Sequence, residues 1–220
     1  MRVVSLVPSL TEGLATAGPL VGITDWCPPV EGAARVRGTK NPDLAAIRAL
    51  EPDLVIANKE ENRELDVRRL REAGLRVEVT EISTVPEAVE TYERLLAILD
   101  WKAPDWLNQA RSVWCGPIPE PTRTVAVPIW RDPWMVVGSQ TFTDDVLARL
   151  GWHNVVTQPR YPHTTVAEIE ALAPDVVLLP DEPYVFSEPD RSAFALPTEL
   201  ISGRLITWYG PSLVEAYALK

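Results

Sequence analysis

The side chains able to carry chemistry in this sequence are few and scattered. Cys27 and Cys115 stand far apart, with no CxxC or Cys/His spacing, so neither a disulfide framework nor a zinc knuckle is written into the chain. Two histidines, His153 and His163, are too few for a three-histidine metal site, so any metal would arrive inside an organic ligand. Asp181 and Glu182 follow an apolar run, a place where acid–base carboxylates are often found. No histidine, nucleophile or metal ligand accompanies them, and Glu182-Pro183 reads as the start of a turn. Glu60 and Glu61, beside Lys59, read as the solvated start of a helix. No nucleophile–base or acid–base pairing is brought together, so no residue is given a catalytic role and none a metal-ligating one.

What remains is a chemistry of binding. Cys27 has two readings: a thiolate able to ligate cobalt or iron, and a small buried hydrophobe. His163 is likewise either a ligand to a metal centre or a loop histidine bonded to backbone. The stronger signal is aromatic. Trp130, Trp134 and Trp208, three of the eight tryptophans, and Tyr161, Tyr184 and Tyr209, three of the five tyrosines, fall in segments that read as loops of the second half. Flat apolar faces with one polar handle suit a large, partly planar ligand, although the same rings could simply pack between loops and sheet. Arg131 and Asp132 could position a ligand carboxylate or amide, or pair with each other. The candidate ligand-binding set is therefore Ser9, Trp26, Cys27, Thr39, Lys40 and Asn58, with Trp130, Arg131, Trp134, Tyr161, Glu182, Tyr184, Trp208 and Tyr209.

The elements that must position these residues come from an internal repeat. Ala49-Leu50-Glu51-Pro52-Asp53-Leu54-Val55-Ile56-Ala57 is echoed by Ala171-Leu172-Ala173-Pro174-Asp175-Val176-Val177-Leu178-Leu179, and the opening run Val3 to Val7 by Val125 to Ile129, both at an offset of 122. Between these the offset grows to 133, because Ala17-Gly18 matches Leu150-Gly151. The second copy is thus expected to carry an insertion of about 11 residues around Arg131 to Thr141. Each copy begins with a buried strand and a helix. Ser9-Leu10-Thr11-Glu12 reads as an N-cap serine with a glutamate three residues on, and the second copy's helix starts at Thr143 or Asp144. Helices at Leu44 to Leu50 and Val166 to Leu172 stop before proline, and the apolar runs Leu54 to Ala57 and Val176 to Leu179 read as strands of parallel sheets covered on both faces. A helix at Glu64 to Ala73 and a strand at Leu75 to Val79 follow in the first copy. The apolar spacing of Val85, Val89, Tyr92, Leu95, Leu96 and Leu99 predicts a linking helix, and Asp105 to Cys115 a second one.

The expected architecture is α/β: two Rossmann-like lobes (1–84 and 122–220) with parallel sheets, joined by a helical linker at 85–121 stiff enough to limit movement, and a ligand cleft between the lobes formed by loops at the carboxyl ends of the strands. The net charge of -10 supplies no basic face for nucleic acid. No apolar run is long enough to span a membrane, and Arg2 leads straight into a strand without a leader, so the chain as written is expected in the cytoplasm, or in the periplasm or at the cell surface if a signal has been removed. A monomer is expected.

Ser5-Leu6-Val7-Pro8-Ser9-Leu10-Thr11-Glu12, then Val21-Gly22-Ile23-Thr24 with Cys27-Pro28-Pro29, resembles the start of the vitamin B12 and ferric-siderophore solute-binding proteins of ABC transporters. The two Pro-Asp segments resemble that family's repeated lobe motifs. The resemblance covers nearly the whole chain. It implies two α/β lobes bridged by a helical backbone, shortened here between Pro104 and Thr124, with no intrinsic cofactor. The implied ligand is a cobalamin-like corrinoid, a haem or a ferric siderophore. It also implies an ABC permease as partner, docked through one glutamate on each lobe. The positions that match are Ala45 and Ala167, with Asp43 and Glu168 close by. Delivery to an importer is the first reading. A cytosolic binding or sensing protein without a permease is the second, and an enzyme acting on a tetrapyrrole or corrinoid the third.

Overall fold

The computed structural model describes all 220 residues, which divide into two compact units. The first gathers Met1–Ile82, Ala88–Asn108 and Tyr209–Pro211; the second gathers Ser83–Glu87, Gln109–Trp208 and Ser212–Lys220.

In the first unit, β1 (Val3–Ser5), α1 (Pro8–Ala15), β2 (Gly22–Ile23) and β3 (Ala34–Arg35) are followed by a small hairpin, β4 (Arg37–Gly38) and β5 (Asn41–Pro42). Then come α2 (Leu44–Ala49), β6 (Leu54–Asn58), α3 (Glu64–Glu72) and β7 (Val77–Thr80). Strands β3-β2-β1-β6-β7 form one parallel sheet. Val3, Val4 and the run Leu54 to Ala57 are fully buried, as strands covered on both faces must be. On one face Val4, Val55, Ala57 and Val77 pack with Ile47 of α2 and Val67 and Leu70 of α3. Two helices follow, α4 (Val85–Leu99) and α5 (Asp105–Trp114), of which Ala88–Asn108 belongs to the first unit. The 3.6-residue spacing read along α4 matches its buried face: Val85, Val89, Tyr92, Leu95, Leu96 and Leu99 are all buried. Tyr92 lies so close on α1 that a side chain at Gly13 would overlap its ring.

The second unit repeats the plan. It holds β8 (Arg123–Ala126), the hairpin β9 (Pro128–Trp130) and β10 (Met135–Val136), α6 (Phe142–Arg149) and β11 (Trp152–Asn154). It continues with α7 (Val166–Ala171), β12 (Val176–Pro180), β13 (Thr198–Ile201), α8 (Arg204–Thr207) and α9 (Ser212–Ala216). Its parallel sheet runs β11-β8-β12-β13. The register repeats as well as the order. Val3 faces Leu54 and Val4 faces Val55 in the first sheet, and Val125 faces Val176 and Ala126 faces Val177 in the second, each pair shifted by 122.

The repeated Pro-Asp motif has a clear job. Asp53 accepts a hydrogen bond from the Arg2 amide at 2.6 Å, and Asp175 accepts from the Thr124 amide at 2.7 Å and the Thr124 hydroxyl at 2.8 Å. Each aspartate fastens the start of one central strand to the start of its neighbour. Two residues earlier, Glu51 (φ 45°) and Ala173 (φ 49°) end α2 and α7 in the left-handed region, and the proline prevents the helix from continuing.

Two expectations are corrected. Ser9 does not cap α1: the helix begins a residue earlier at Pro8, the cap position is Val7, and no side chain caps it. Proline at the first turn already lacks the amide that a cap would satisfy. In the second unit Thr141 caps α6 through the Asp144 amide, so that helix begins at Phe142 rather than at Thr143 or Asp144. The insertion is the β9–β10 hairpin, and the offset returns to 122 because the first copy alone carries β3, β4 and β5.

Candidate functional site

In parallel sheets the carboxyl strand ends carry the binding loops, because successive helices start there and leave open crevices. In the first unit the loop after β1 places Ser9 inside α1, buried, with its hydroxyl bonded to the Tyr209 phenol and its carbonyl accepting the Tyr92 hydroxyl at 2.8 Å. The loop after β2 divides its two candidates. Trp26 is 73% exposed, whereas Cys27 is buried with its Sγ 3.1 Å from both the Thr11 and the Thr24 hydroxyls. Burial pushes the Cys27 thiol up, against hydrogen bonds from Thr11 and Thr24 that pull the other way. A thiolate is therefore disfavoured, and Cys27 fills space as a small polar-lined hydrophobe. The Arg35 guanidinium fixes this loop by donating to the Thr24 and Cys27 carbonyls.

At the β4–β5 turn, Thr39 gives its carbonyl to Asn62 Nδ2 at 3.0 Å, and the exposed Lys40 ammonium donates to the Glu60 carbonyl. Asn58, buried at the end of β6, shapes the loop beyond it: its Oδ1 accepts the Glu60 amide at 2.8 Å and its Nδ2 donates to Thr80 Oγ1 at 3.1 Å. That loop delivers Glu61, half-buried, whose Oε1 accepts the Tyr209 hydroxyl at 3.3 Å. Tyr209 is itself buried in this unit, and its phenol titrates well above the ordinary range, through burial first and then the Glu61 charge.

In the second unit the aromatic candidates form a continuous series. Trp130, 44% exposed, meets Tyr184 edge-on at 5.8 Å, and Tyr184 lies 4.6 Å from buried Phe186. Trp134 stacks on Phe186 at 5.9 Å and meets Phe194 edge-on at 5.4 Å. Trp134 therefore belongs half to the core, and Trp130 to the surface. Arg131 pairs with Asp190 and lies 3.5 Å from Asp132. Burial would raise Asp190, but hydrogen bonds from Ser187 and the Arg131 guanidinium outweigh it, so its carboxyl stays below the ordinary range. Tyr161 is half-buried beneath the Arg160 guanidinium, at 5.7 Å. His163 is exposed, its backbone bridging to Met135.

Glu182, at the end of β12, is half-buried, with Thr207 Oγ1 donating to it at 3.3 Å and the Trp208 indole also bonded to it. Burial pushes its carboxyl up, against those two bonds and with the Asp181 charge assisting. The Arg204 guanidinium covers the Trp208 ring at 5.1 Å. No group of three His, Cys, Asp or Glu side chains is gathered for a metal ion, and no helix is long and apolar enough to cross a membrane.

Sequence reasoning missed Glu61, Phe186, Asp190 and Thr207. The repeat held a signal for the first, since Glu60 matches Glu182 at the offset of 122 and Glu61 is its neighbour.

No protein-family model matches the chain. A curated relative, the vitamin B12-binding protein of Salmonella typhimurium, is 26% identical over 185 residues, covering 78% of this chain and 68% of its own length. Among solved structures, a periplasmic haem-binding protein from Pseudomonas aeruginosa superposes with a TM-score of 0.78 at 22% identity, covering 99% of this chain and 90% of the other. The periplasmic vitamin B12 binding protein of Vibrio cholerae does so with a TM-score of 0.76 at 18% identity, covering 99% and 93%. The sequence similarity covers about three quarters of the chain and the shared fold nearly all of it. The chain is thus similar in sequence to vitamin B12-binding proteins and shares its two-lobed α/β fold with periplasmic haem- and vitamin B12-binding proteins.

Proposed function

We propose that this chain captures a metal-bearing planar macrocycle or chelate, a corrinoid first and a haem or ferric siderophore next, for delivery to an ABC importer. The observation that carries the reading is the aromatic series from exposed Trp130 through Tyr184 to Phe186 on loops at the carboxyl strand ends, in a chain akin to vitamin B12-binding proteins. The exposed Trp130 ring offers an apolar face to a ligand, with Tyr184 set edge-on beside it and buried Phe186 tying both to the packed core. The ligand is cargo, and it is expected to be released chemically unchanged.

The test is a tryptophan-fluorescence titration with cobalamin, cobinamide, haemin and several ferric siderophores, corrected for absorption by the ligand and confirmed by calorimetry. Saturable binding at micromolar concentration or below is expected for at least one class. No binding by any of them would remove the reading.

Capture without a permease is a second reading, and one observation favours it. Asp43 and Glu168, the acids near Ala45 and Ala167, are both engaged as helix caps: Asp43 accepts the Ala45 and Ala46 amides, and Glu168 closes a capping box with Thr165. Ala45 and Ala167 themselves are exposed methyl groups without charge. Stimulation of a reconstituted importer's ATPase by the loaded chain would favour delivery, and none by any candidate importer would favour capture alone.

A further inference from the structure

A cavity of about 410 Å³ lies within the second unit, at the amino ends of β8 and β11, whereas the aromatic series sits on loops at the carboxyl ends. The register of the sheet builds it. Arg123 opens β8 and Trp152 opens β11, and the two are paired across the strands, so their side chains stand on the same face. The Arg123 guanidinium lies over the buried Trp152 ring, 3.8 Å from its centre, and this stacking fixes the plane of the guanidinium. The adjoining loop is closed by Thr122, whose amide and hydroxyl both donate to the Gly151 carbonyl, at 2.7 Å and 3.0 Å. Gly151 turns in the left-handed region at φ 78°, which glycine adopts without strain.

Only part of that guanidinium is engaged. Nη1 donates to both Glu199 oxygens, at 3.1 Å and 3.0 Å, whereas Nε is buried without a hydrogen-bond partner. Buried donors are nearly always paired, so a lone one calls for an acceptor. Nε and Nη2 form an edge of the guanidinium that can grip a carboxylate through two parallel bonds. The walls of the cavity are apolar, from Pro119, Leu150, Trp152 and Leu219, and the other charged residues lining it are Lys220 and Glu120.

We infer that this cavity is a second binding site, for a small aromatic monocarboxylate, with Arg123 gripping the carboxylate and the apolar walls taking the ring. Its volume falls at the small end of the range for ligand pockets, roughly 300–1,000 Å³. A dianion such as phosphate fits less well. Glu199 already offsets the Arg123 charge in part, and apolar walls do little to replace the hydration lost by a second charge. The inference goes beyond the capture reading and stands apart from it, because every residue of this site belongs to the second unit and to the other end of its strands.

The test is a titration of the full chain with benzoate at neutral pH, read by calorimetry and by the indole N–H resonances of isotope-labelled protein. Benzamide and inorganic phosphate are the comparison probes. Trp152→Phe identifies which of the eight indole resonances belongs to Trp152. Benzoate is expected to bind saturably and to shift that resonance, and both comparison probes to bind about tenfold more weakly. Arg123→Met should lower benzoate affinity about tenfold, and Arg123→Lys, which keeps the charge without the fork, by several-fold. Glu199→Gln should raise it about threefold by removing the competing carboxylate, a gain that a merely structural pair would not give. Circular dichroism and the melting midpoint confirm folding. The Glu199 side chain is 52% exposed, so its variant carries the test if the Arg123 variants unfold. Absence of saturable benzoate binding, equal affinity for benzamide, or shifts in other indole resonances with Trp152 unmoved would each overturn the inference. Failure of every corrinoid, haem and siderophore to bind would remove the capture reading and leave this site standing.

Discussion

Trp130 and Trp134 sit on one hairpin and were alike as sequence, but they differ in what they touch. Trp130 is 44% exposed and has Tyr184 as its ring neighbour, while Trp134 is sandwiched between Phe186 and Phe194. Trp130→Ala should weaken ligand binding at unchanged melting midpoint. Trp134→Ala should lower unfolding free energy by about 2–3 kcal/mol through loss of core contacts, read by urea denaturation. Equal stability losses in the two variants would sink this division. Residue type alone could not make the distinction, because tryptophan serves a wall and a core equally well. The same limit hid Glu61: beside Lys59 and Glu60 it read as solvated, and only its burial beside Tyr209, far away in sequence, gives it a role. Glu182 invites a further test. Its carboxyl is raised by burial, so the stability it contributes is complete below the ordinary carboxylate range and is lost as pH rises through its raised value. Glu182→Gln should therefore melt higher relative to wild type at pH about 7 than at pH about 4. A gap that shrinks as pH rises would reverse the sign and refute the assignment.

At the scale of elements much was legible, because the repeat supplied two readings of each motif. The Pro-Asp segments marked where strands begin, and the periodic run from Val85 marked α4. What escaped was set by contacts between distant segments. The β9–β10 hairpin looked only like extra length, and α1 starts on Pro8 instead of using Ser9 as a cap. The motif itself yields two predictions. Hydrogen bonds from the Thr124 amide, then from its hydroxyl, hold Asp175 below the ordinary aspartate range, against a smaller opposing effect of burial. The stability it adds is thus present above its unfolded value and lost as pH falls through its lowered one. Asp175→Ala should lower the melting midpoint at neutral pH, with the deficit closing under strong acid; a constant deficit would show that the charge plays no part. Ala173, left-handed at φ 49°, carries a strain that glycine would not, so Ala173→Gly should raise stability by up to about 1 kcal/mol in urea unfolding. Any destabilisation would show that the turn is not strained there.

At the scale of the molecule, the interleaving of the chain was the least legible feature. Boundaries drawn along the sequence suggested two contiguous lobes and a linker, yet the first compact unit takes Ala88–Asn108 and Tyr209–Pro211 from beyond its first 82 residues. Tyr92, Leu95, Leu96, Leu99, Leu107 and Tyr209 are all buried and all belong to it. At about 2 kcal/mol for each buried large side chain, these six contribute on the order of 10 kcal/mol. The net stability of a whole domain is about 5–15 kcal/mol. A fragment of residues 1–82 should accordingly fail to fold cooperatively, although it contains every strand of its sheet. A fragment of residues 1–108 regains four leucines and Tyr92, and should show a sigmoidal urea transition where the shorter one drifts. The measurement is far-ultraviolet circular dichroism against urea on both fragments. A shared midpoint would mean that the strands and their own three helices suffice and that α4 only connects. A transition in the longer fragment alone would show that α4 and the first turn of α5 complete the core that presents Ser9 and Glu61.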